Sequence, residues 1–133
     1  MKPLKEIAFT RKITKLMRDE GYLVYVISAS SRQTIGLPDR YVMGPDVPGL
    51  WIEFKGPTTR LSMSQRLFLS KCAKWKHPAI VLYSPGIVHI YGSNGMPVYT
   101  MSVENCKSMR EMFGKVYAYY DDSNPYFFQY SSK

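Results

Sequence analysis

The sequence predicts an α/β fold in which a mixed central sheet is flanked by helices. Patterns alternate along the chain in the order helix, three strands, helix, two strands, and then a helical and aromatic tail. The strand candidates are short runs of β-branched or aromatic residues, and most are bounded by glycine or proline. The chain has 133 residues, 45% of them hydrophobic, which suits the core of one domain. We therefore treat residues 1–133 as a single domain.

The first helix is predicted over residues 4–20 and is expected to end at Gly21. The helical spacing of its residues places two carboxylates on an otherwise apolar face of the helix. That face consists of Glu6, Phe9, Ile13, Leu16, Met17 and Glu20. The other side of the helix is cationic and includes Lys12. A strand is predicted to follow over residues 22–27.

Two further strands, over residues 40–43 and 50–55, are predicted to pair as a hairpin. The expected register sets Arg40 opposite Glu53 and leaves Asp39 at the open end of the ladder, within reach of Glu53. Side chains alternate between the faces of a strand. One face of the second strand then carries Trp51, Glu53 and Lys55.

A second helix is predicted from Ser62 to about residue 74. Ser62 and Gln65 have the spacing of a capping box, in which each residue bonds to the backbone of the other. Gln65 also lies on the apolar side of this helix, which points toward the sheet. Its amide can therefore act as a helix cap, or it can face a functional site and hold a water or a phosphate. The sequence leaves both roles open.

The remaining chain is predicted to form a hairpin over residues 79–84 and 87–91, a turn over 92–97 and a last helix over 103–113. Residues 117–130 are dense in tyrosine and phenylalanine. So much exposed aromatic surface is unusual for a monomer. We expect this tail to pack back on the domain or to form a subunit interface.

Composition restricts the partners and the compartment. The net charge is +8 and the isoelectric point about 9.5, which favours a polyanionic partner such as a nucleic acid. Cys72 and Cys106 are too few for a zinc site. No apolar run approaches the ~20 residues of a membrane-spanning helix, and the first residues lack the apolar stretch of a signal peptide. A cytoplasmic protein that does not associate with membranes is expected.

Two carboxylates and a lysine converge in the stretch over residues 36–65. Asp39 and Glu53 would repel each other unless a cation joins them. Hard oxygen ligands suit Mg²⁺ or Mn²⁺, and Lys55 would be placed to contact a phosphate or to activate a water. These are the groups that metal-assisted phosphodiester hydrolysis uses. The alternative is a surface hairpin whose Glu53 and Lys55 form a solvated charge pair.

Three short blocks follow one another in this stretch. They are Gly36-Leu37-Pro38-Asp39, Glu53-Phe54-Lys55 and Leu61-Ser62-Met63-Ser64-Gln65. Their order and spacing resemble the G-x-P-D, E-x-K and L-S-x-x-Q pattern of the VRR-NUC family, in the PD-(D/E)xK nuclease superfamily. The resemblance covers about residues 4–91 and is to the stand-alone bacterial and phage type, so residues 92–133 would be a C-terminal extension. It implies a restriction-endonuclease-like core.

The resemblance also implies an endodeoxyribonuclease that depends on Mg²⁺ or Mn²⁺. The metal ligands would be Asp39, Glu53 and the backbone carbonyl of Phe54. A glutamate of the first helix would complete the site, and Glu6 is the candidate because Glu20 lies where the chain turns into the next strand. The catalytic residues would be Asp39, Glu53, Lys55 and Gln65.

The expected partner is DNA, and the resemblance implies a branched substrate such as a four-way (Holliday) junction, a flap or a nick. The candidate DNA contacts are Lys12, Arg32, Arg40, Arg60 and Lys71. A homodimer is expected, since two sites can cut both strands of a junction. Arg40 departs from the family pattern, in which this position is often apolar, and beside Glu53 it would compete with the metal. A non-catalytic DNA-binding module and a protein-interaction subunit are the alternatives.

Overall fold

The computed structural model describes residues 5–28 and 36–123, which form a six-stranded mixed sheet flanked by three helices. The strands are β1 (Leu23–Val26), β2 (Arg40–Gly44), β3 (Val47–Lys55), β4 (Ala79–Tyr83), β5 (Ile87–Tyr91) and β6 (Pro97–Ser102). They lie in the sheet in chain order. Neighbouring strands are antiparallel, apart from the parallel pair of β3 and β4. The predicted α/β class with a mixed sheet is confirmed.

Three helices cover the two faces of the sheet. They are α1 (Glu6–Asp19), α2 (Met63–Lys74) and α3 (Met109–Ser123). α2 supplies the crossover that the parallel pair of β3 and β4 requires. α1 and α3 pack into the larger core on one face, and α2 packs into a smaller core on the other. Helices long and apolar enough to cross a membrane are not found in the described ranges.

Strand β3 is buried on both faces and lies between the two cores. Ile52 and Phe54 belong to the core under α1 and α3, and Trp51 packs against the core under α2. Because side chains alternate along a strand, Glu53 and Lys55 lie on the α2 side. On α1 the predicted apolar stripe is buried except at Leu16, which is 39% exposed.

The predicted register of β2 and β3 is wrong by one position. Arg40 pairs with Ile52 rather than with Glu53, because the ladder is irregular between Val42 and Gly44. A one-residue slip moves a side chain to the other face of a sheet. The guanidinium of Arg40 accordingly lies 6.0 Å from the ring of Phe54, on the α1 side.

The C-terminal third differs from the prediction in two elements. Residues 97–102 form the strand β6, at the edge of the sheet, where Pro97 is tolerated as the first residue. The last helix begins at Met109 and runs to Ser123, later than the predicted helix over 103–113, of which residues 103–105 form a 3₁₀ turn. Three residues of β6 are exposed and three are half-buried, so it lacks the clear buried and exposed alternation by which a strand is recognised.

The first part of the aromatic tail packs back on the domain. Tyr117 and Tyr120 belong to α3 and are each 3% exposed. The hydroxyl of Tyr117 donates to the carbonyl of Gly49 at 2.8 Å, and that of Tyr120 donates to the carbonyl of Ala79 at 3.3 Å. Burial raises the pKa of both hydroxyls. The later aromatic residues of the tail, Tyr126, Phe127, Phe128 and Tyr130, lie outside the described residues.

Glu20 follows α1 in the chain and caps the N-terminus of α3. Its two carboxylate oxygens accept hydrogen bonds from the N–H groups of Met109 at 2.8 Å and Arg110 at 3.0 Å. A carboxylate at this position satisfies donors that the first turn of a helix leaves open. Glu20 is therefore a structural residue at the start of α3.

We expect Glu20→Ala to lower the free energy of unfolding by about 1–2 kcal/mol, the usual cost of losing a helix cap. Urea denaturation followed by circular dichroism measures the change. Glu104→Ala is the matched control, because Glu104 is an exposed acidic residue of the 3₁₀ turn. Equal midpoints for the two variants would contradict the capping role.

Candidate active site

Asp39 and Glu53 meet at one end of the ladder, where β2 begins and β3 ends. The N–H of Asp39 donates to Glu53 Oε1 at 3.2 Å, and Asp39 Oδ2 accepts from the N–H of Phe54 at 2.7 Å. Both acidic residues are buried, with 6% of Asp39 and 3% of Glu53 exposed. The two carboxylate-bearing residues predicted to lie together do so.

Gly36 brings the loop before Asp39 against the start of α2. Its φ is +71°, in the left-handed region that favours glycine. A Cβ at this position would lie 2.5 Å from the carbonyl carbon and oxygen of Ser64, a distance that forces one of the two segments to move. Glycine at this position therefore lets the G-x-P-D block touch the L-S-x-x-Q block in space.

Gln65 performs the capping role and also faces the carboxylates. Its N–H donates to Ser62 Oγ at 3.2 Å, and its Oε1 accepts from the N–H of Ser62 at 2.8 Å, which completes the capping box. Its Nε2 donates to Glu53 Oε2 at 2.9 Å. One amide thus caps α2 with its oxygen and orients Glu53 with its nitrogen. A contact from Gln65 to a water or a phosphate stays a prediction.

The two contacts of Gln65 can be separated by substitution. Gln65→Glu keeps an acceptor for Ser62 but replaces the donor to Glu53 with a second carboxylate. If Glu53 acts in catalysis, we expect about 10–100-fold slower cleavage, and repulsion between the two carboxylates should also lower stability. Ser62→Ala should cost about 1 kcal/mol of stability while turnover is kept. Cleavage rates and urea midpoints measure both effects, and a normal rate for Gln65→Glu would reduce Gln65 to a helix cap.

Lys55 completes the cluster on the α2 side of the sheet. Its Nζ lies 3.4 Å from Glu53 Oε2, and the two side chains are 10% and 4% exposed. Removing an ion pair from water is costly unless the remaining polar atoms are also hydrogen-bonded. Asp39 and Gln65 supply those bonds to Glu53. A solvated surface charge pair, the alternative left open by the sequence, is therefore excluded.

Glu6 lies beside this cluster, whereas Glu20 does not. Glu6 Oε1 accepts from the N–H of Gly56, the residue after Lys55, at 3.3 Å. Glu6 and Asp39 also line one groove of about 550 Å³ between α1 and the ends of β1 and β2. Since Glu20 caps α3, Glu6 is the glutamate of the first helix that is placed near the carboxylates.

The groove beside Asp39 contains basic residues that were not among the candidate DNA contacts chosen from the sequence. Its basic residues are Arg11, Lys15, Arg18 and Arg40. Arg40 Nη1 donates to the carbonyl of Asp39 at 3.0 Å. Lys12 is exposed on α1 but does not line the groove. The helical spacing of the basic residues was visible in the sequence, but which of them face the groove depends on where α1 packs.

The other candidate DNA contacts are spread over the α2 side. Arg60 is exposed in the loop before α2, and Lys71 is exposed in the last turn of that helix. Arg32 lies outside the described residues. Arg40 lines the groove beside Asp39, whereas Arg60 and Lys71 do not line it.

Tyr83 is a neighbour of the cluster that the sequence reasoning missed. It pairs with Lys55 across the parallel strands β3 and β4, and its hydroxyl lies 3.0 Å from that of Tyr91. Burial raises the pKa of Tyr83, and the bond to Tyr91 and the charge of Glu53 add to the effect. The apolar run that predicts β4 gives no sign of this contact, which depends on the pairing of β3 with β4.

The donor chemistry of the site fits Mg²⁺ or Mn²⁺. Asp39 and Glu53 supply carboxylate oxygens, and the carbonyl of Phe54 lies next to Glu53 in the chain. Within residues 5–28 and 36–123, no three His, Cys, Asp or Glu side chains converge as a complete cage. Mg²⁺ is usually held by one or two carboxylates together with phosphates of the substrate, so a pair of carboxylates is compatible with this ion.

Comparison with protein-family models and with curated proteins gave no match. Fold and site together define an α/β domain with a buried cluster of two carboxylates, a lysine and a glutamine. Membership of the VRR-NUC family stays a prediction from the three sequence blocks, which the fold brings into contact through Asp39, Glu53 and Gln65.

Proposed function

We propose that the protein is a divalent-metal-dependent endodeoxyribonuclease that hydrolyses phosphodiester bonds. The observation that carries the proposal is the location of buried charge. Within the described chain the buried charged residues are Asp39, Glu53 and Lys55, and all three belong to one cluster. Burying charge is costly. Its concentration at a single place is typical of functional sites.

In this proposal each residue of the cluster has a separate task. Asp39 and Glu53 hold the cation, which when bound neutralises phosphate charge and lowers the pKa of a water. Lys55 donates to a phosphate oxygen or orients the attacking water, from a position fixed by its pair with Glu53. Gln65 holds the carboxylate of Glu53 in one orientation.

DNA is the substrate that the charge of the protein supports. The net charge of +8 favours a polyanion. The groove that contains Asp39 is lined by four basic and three acidic residues, and the basic ones suit contacts with phosphates on either side of the scissile bond. We include Arg40 among these contacts, since it lines the groove itself.

A non-catalytic DNA-binding module is the second candidate, and one observation favours it. The carboxylates already accept hydrogen bonds from the protein, Asp39 from the N–H of Phe54 and Glu53 from Asp39 and Gln65. A cluster satisfied in this way can persist as a structural element without a metal.

A cleavage panel separates the two candidates. Flap, fork, nicked, duplex and four-way-junction DNAs are incubated with the protein in Mn²⁺, in Mg²⁺ and in EDTA. The nuclease proposal expects cleavage of at least one DNA with either metal and none in EDTA. Salt-sensitive binding without cleavage of any DNA supports the binding module. The absence of binding at low salt contradicts both.

We further propose a homodimer that acts on branched DNA in the cytoplasm of a bacterium or a phage-infected cell, as the resemblance implies. One site nicks one strand, whereas a symmetric pair can cut two strands of a junction. Light scattering in the presence of a four-way junction tests the assembly. A protein that stays monomeric at high concentration would contradict the junction-resolving role but would still be compatible with a nickase.

A further inference from the structure

Basic and acidic residues are unevenly distributed along the chain. No Asp or Glu occurs between Glu53 and Glu104, whereas six basic residues do. They are Lys55, Arg60, Arg66, Lys71, Lys74 and Lys76. The remaining positions carry twelve basic and ten acidic residues, so the excess positive charge is concentrated in this segment. It forms α2 and the strands β4, β5 and β6 and will attract a polyanion.

Trp75 is the exposed aromatic side chain of this acid-free segment. It is the C-cap residue of α2, and 69% of its surface is exposed. Lys74 and Lys76 are its chain neighbours, and Lys71 lies one helical turn earlier. Aromatic rings flanked by cations bind unpaired nucleic-acid strands, because the ring stacks on a base while the cations contact phosphates.

The turn after Trp75 holds Lys76 in a conformation that usually belongs to glycine. The N–H of Lys76 donates to the carbonyl of Ala73 at 3.2 Å, and the N–H of His77 donates to that of Cys72 at 2.8 Å. These are the two bonds of a Schellman motif, whose left-handed position Lys76 occupies with φ of 59°. A lysine there is less favourable than glycine. Such an outlier indicates a role for the side chain.

A groove of about 480 Å³ lies beside this turn, between α2, the end of β5 and α3. Lys74 and Lys76 line it together with Asn94 and Tyr119, and no acidic residue of the described chain does. The groove therefore offers an electropositive path, lined by the two lysines that flank Trp75 in the chain.

We propose that the corner formed by Lys74, Trp75 and Lys76 binds an unpaired strand of the nucleic-acid substrate. A base stacks on the indole, and the adjoining phosphates lie against the two lysines. Gln65, at the carboxylates, and Trp75 lie at opposite ends of α2, about 15 Å apart along its axis. That length equals about four base steps of a duplex. The inference rests on the proposed function for the identity of the ligand, and it adds a preference for DNA with unpaired nucleotides beside a duplex.

Two other occupants fit the corner less well. A symmetric second copy would place this corner against itself and bring like charges together. An anionic membrane surface would attract the lysines, but interfacial binding also needs a broad apolar face, and this corner supplies one indole.

Tryptophan fluorescence tests the stacking directly. The protein is titrated with single-stranded oligothymidylate in EDTA, so that no cleavage takes place. We expect quenching of the emission in the wild type and loss of that quenching in Trp75→Phe. The remaining indole, Trp51, is packed edge-on against Tyr41 and Phe68 and serves as the internal reference. Trp75→Ala should weaken binding of a labelled oligothymidylate by about 5–100-fold.

Lys76→Gly tests the lysine without loss of stability. Glycine suits the left-handed position, so we expect an equal or slightly higher melting temperature. The slope of log affinity against log salt should fall in magnitude by about 0.7, the value for one phosphate contact of a single strand. Lys107→Gln, an exposed lysine just before α3, is the matched control and should leave the slope unchanged.

Several results would overturn the inference. One is unchanged quenching in Trp75→Phe, and another is unchanged affinity in Trp75→Ala. A third is a shift of Trp75 emission with phosphatidylserine vesicles but not with oligothymidylate. A fourth is that Trp75→Ala forms a smaller assembly by light scattering while its affinity for oligothymidylate stays normal. None of these measurements needs metal or cleavage. If Trp75→Ala cleaves DNA and binds it normally, only this inference is wrong. If binding depends on Trp75 but no DNA is cleaved, only the nuclease proposal is wrong.

Discussion

Asp39→Asn and Glu53→Gln are each expected to reduce cleavage below detection, a loss of more than about 10³-fold, while DNA binding is kept or strengthened. Both changes keep the size of the side chain and remove its charge. Bound metal contributes several kcal/mol to a phosphoryl-transfer transition state, and each 1.4 kcal/mol changes the rate about tenfold. Binding survives because each variant also removes a negative charge that repels phosphate when metal is absent.

The measurement is the initial rate of cleavage in saturating Mn²⁺, with affinity measured separately in EDTA. Glu104→Gln is the matched control, since it removes one carboxylate from an exposed residue of the 3₁₀ turn. It should cleave at the wild-type rate. If Asp39→Asn and Glu53→Gln also cleave at that rate, the nuclease proposal is wrong and the DNA-binding module becomes the better interpretation.

Lys55→Ala is expected to slow cleavage by about 10²–10⁴-fold without removing metal binding. A lysine acts on the water and the phosphate rather than on the cation. Lys55 is also 8% exposed, so its removal changes packing as well as charge. Lys55→Met fills most of the same volume without the ammonium group. Equal losses in the two variants would assign the effect to the charge.

Metal affinity is measured by isothermal titration with Mn²⁺, and the rate by single-turnover cleavage. Lys107→Met is the control, because Lys107 is an exposed lysine just before α3. A normal rate for Lys55→Met, together with an inactive Glu53→Gln, would limit Lys55 to the role of an ion-pair partner for Glu53. A loss of Mn²⁺ binding in Lys55→Met would instead indicate that Lys55 orients the metal ligands.

Local patterns in the sequence were sufficient for most of the fold. The periodic residues Phe9, Ile13 and Met17 predicted the buried face of α1, and the spacing of Ser62 and Gln65 predicted the capping box. Both depend on contacts within one or two turns of a helix, so the neighbouring sequence contains the necessary information. The alternation along β3 likewise placed Glu53 and Lys55 on one face.

Predictions failed where a structure depends on distant residues. The register of β2 and β3 was wrong because an irregularity at residues 42–44 adds one position that no local pattern marks. The start of α3 was placed too early because its N-terminal donors are satisfied by Glu20, which lies about ninety residues away in the chain. The strand β6 was missed because an exposed edge strand has little apolar alternation.

For the candidate site, the sequence by itself determined which residues to expect together, and the structure brings them together: Asp39, Glu53, Lys55 and Gln65. Tertiary structure placed Glu6, which the sequence favoured over Glu20, beside them, and it alone decided that the amide nitrogen of Gln65 bonds to Glu53. Tertiary structure also decided that Arg40 faces the α1 side of the sheet. The reason is physical: residue type and spacing determine what a side chain can do, whereas its partners depend on which strands pair and which face each helix covers.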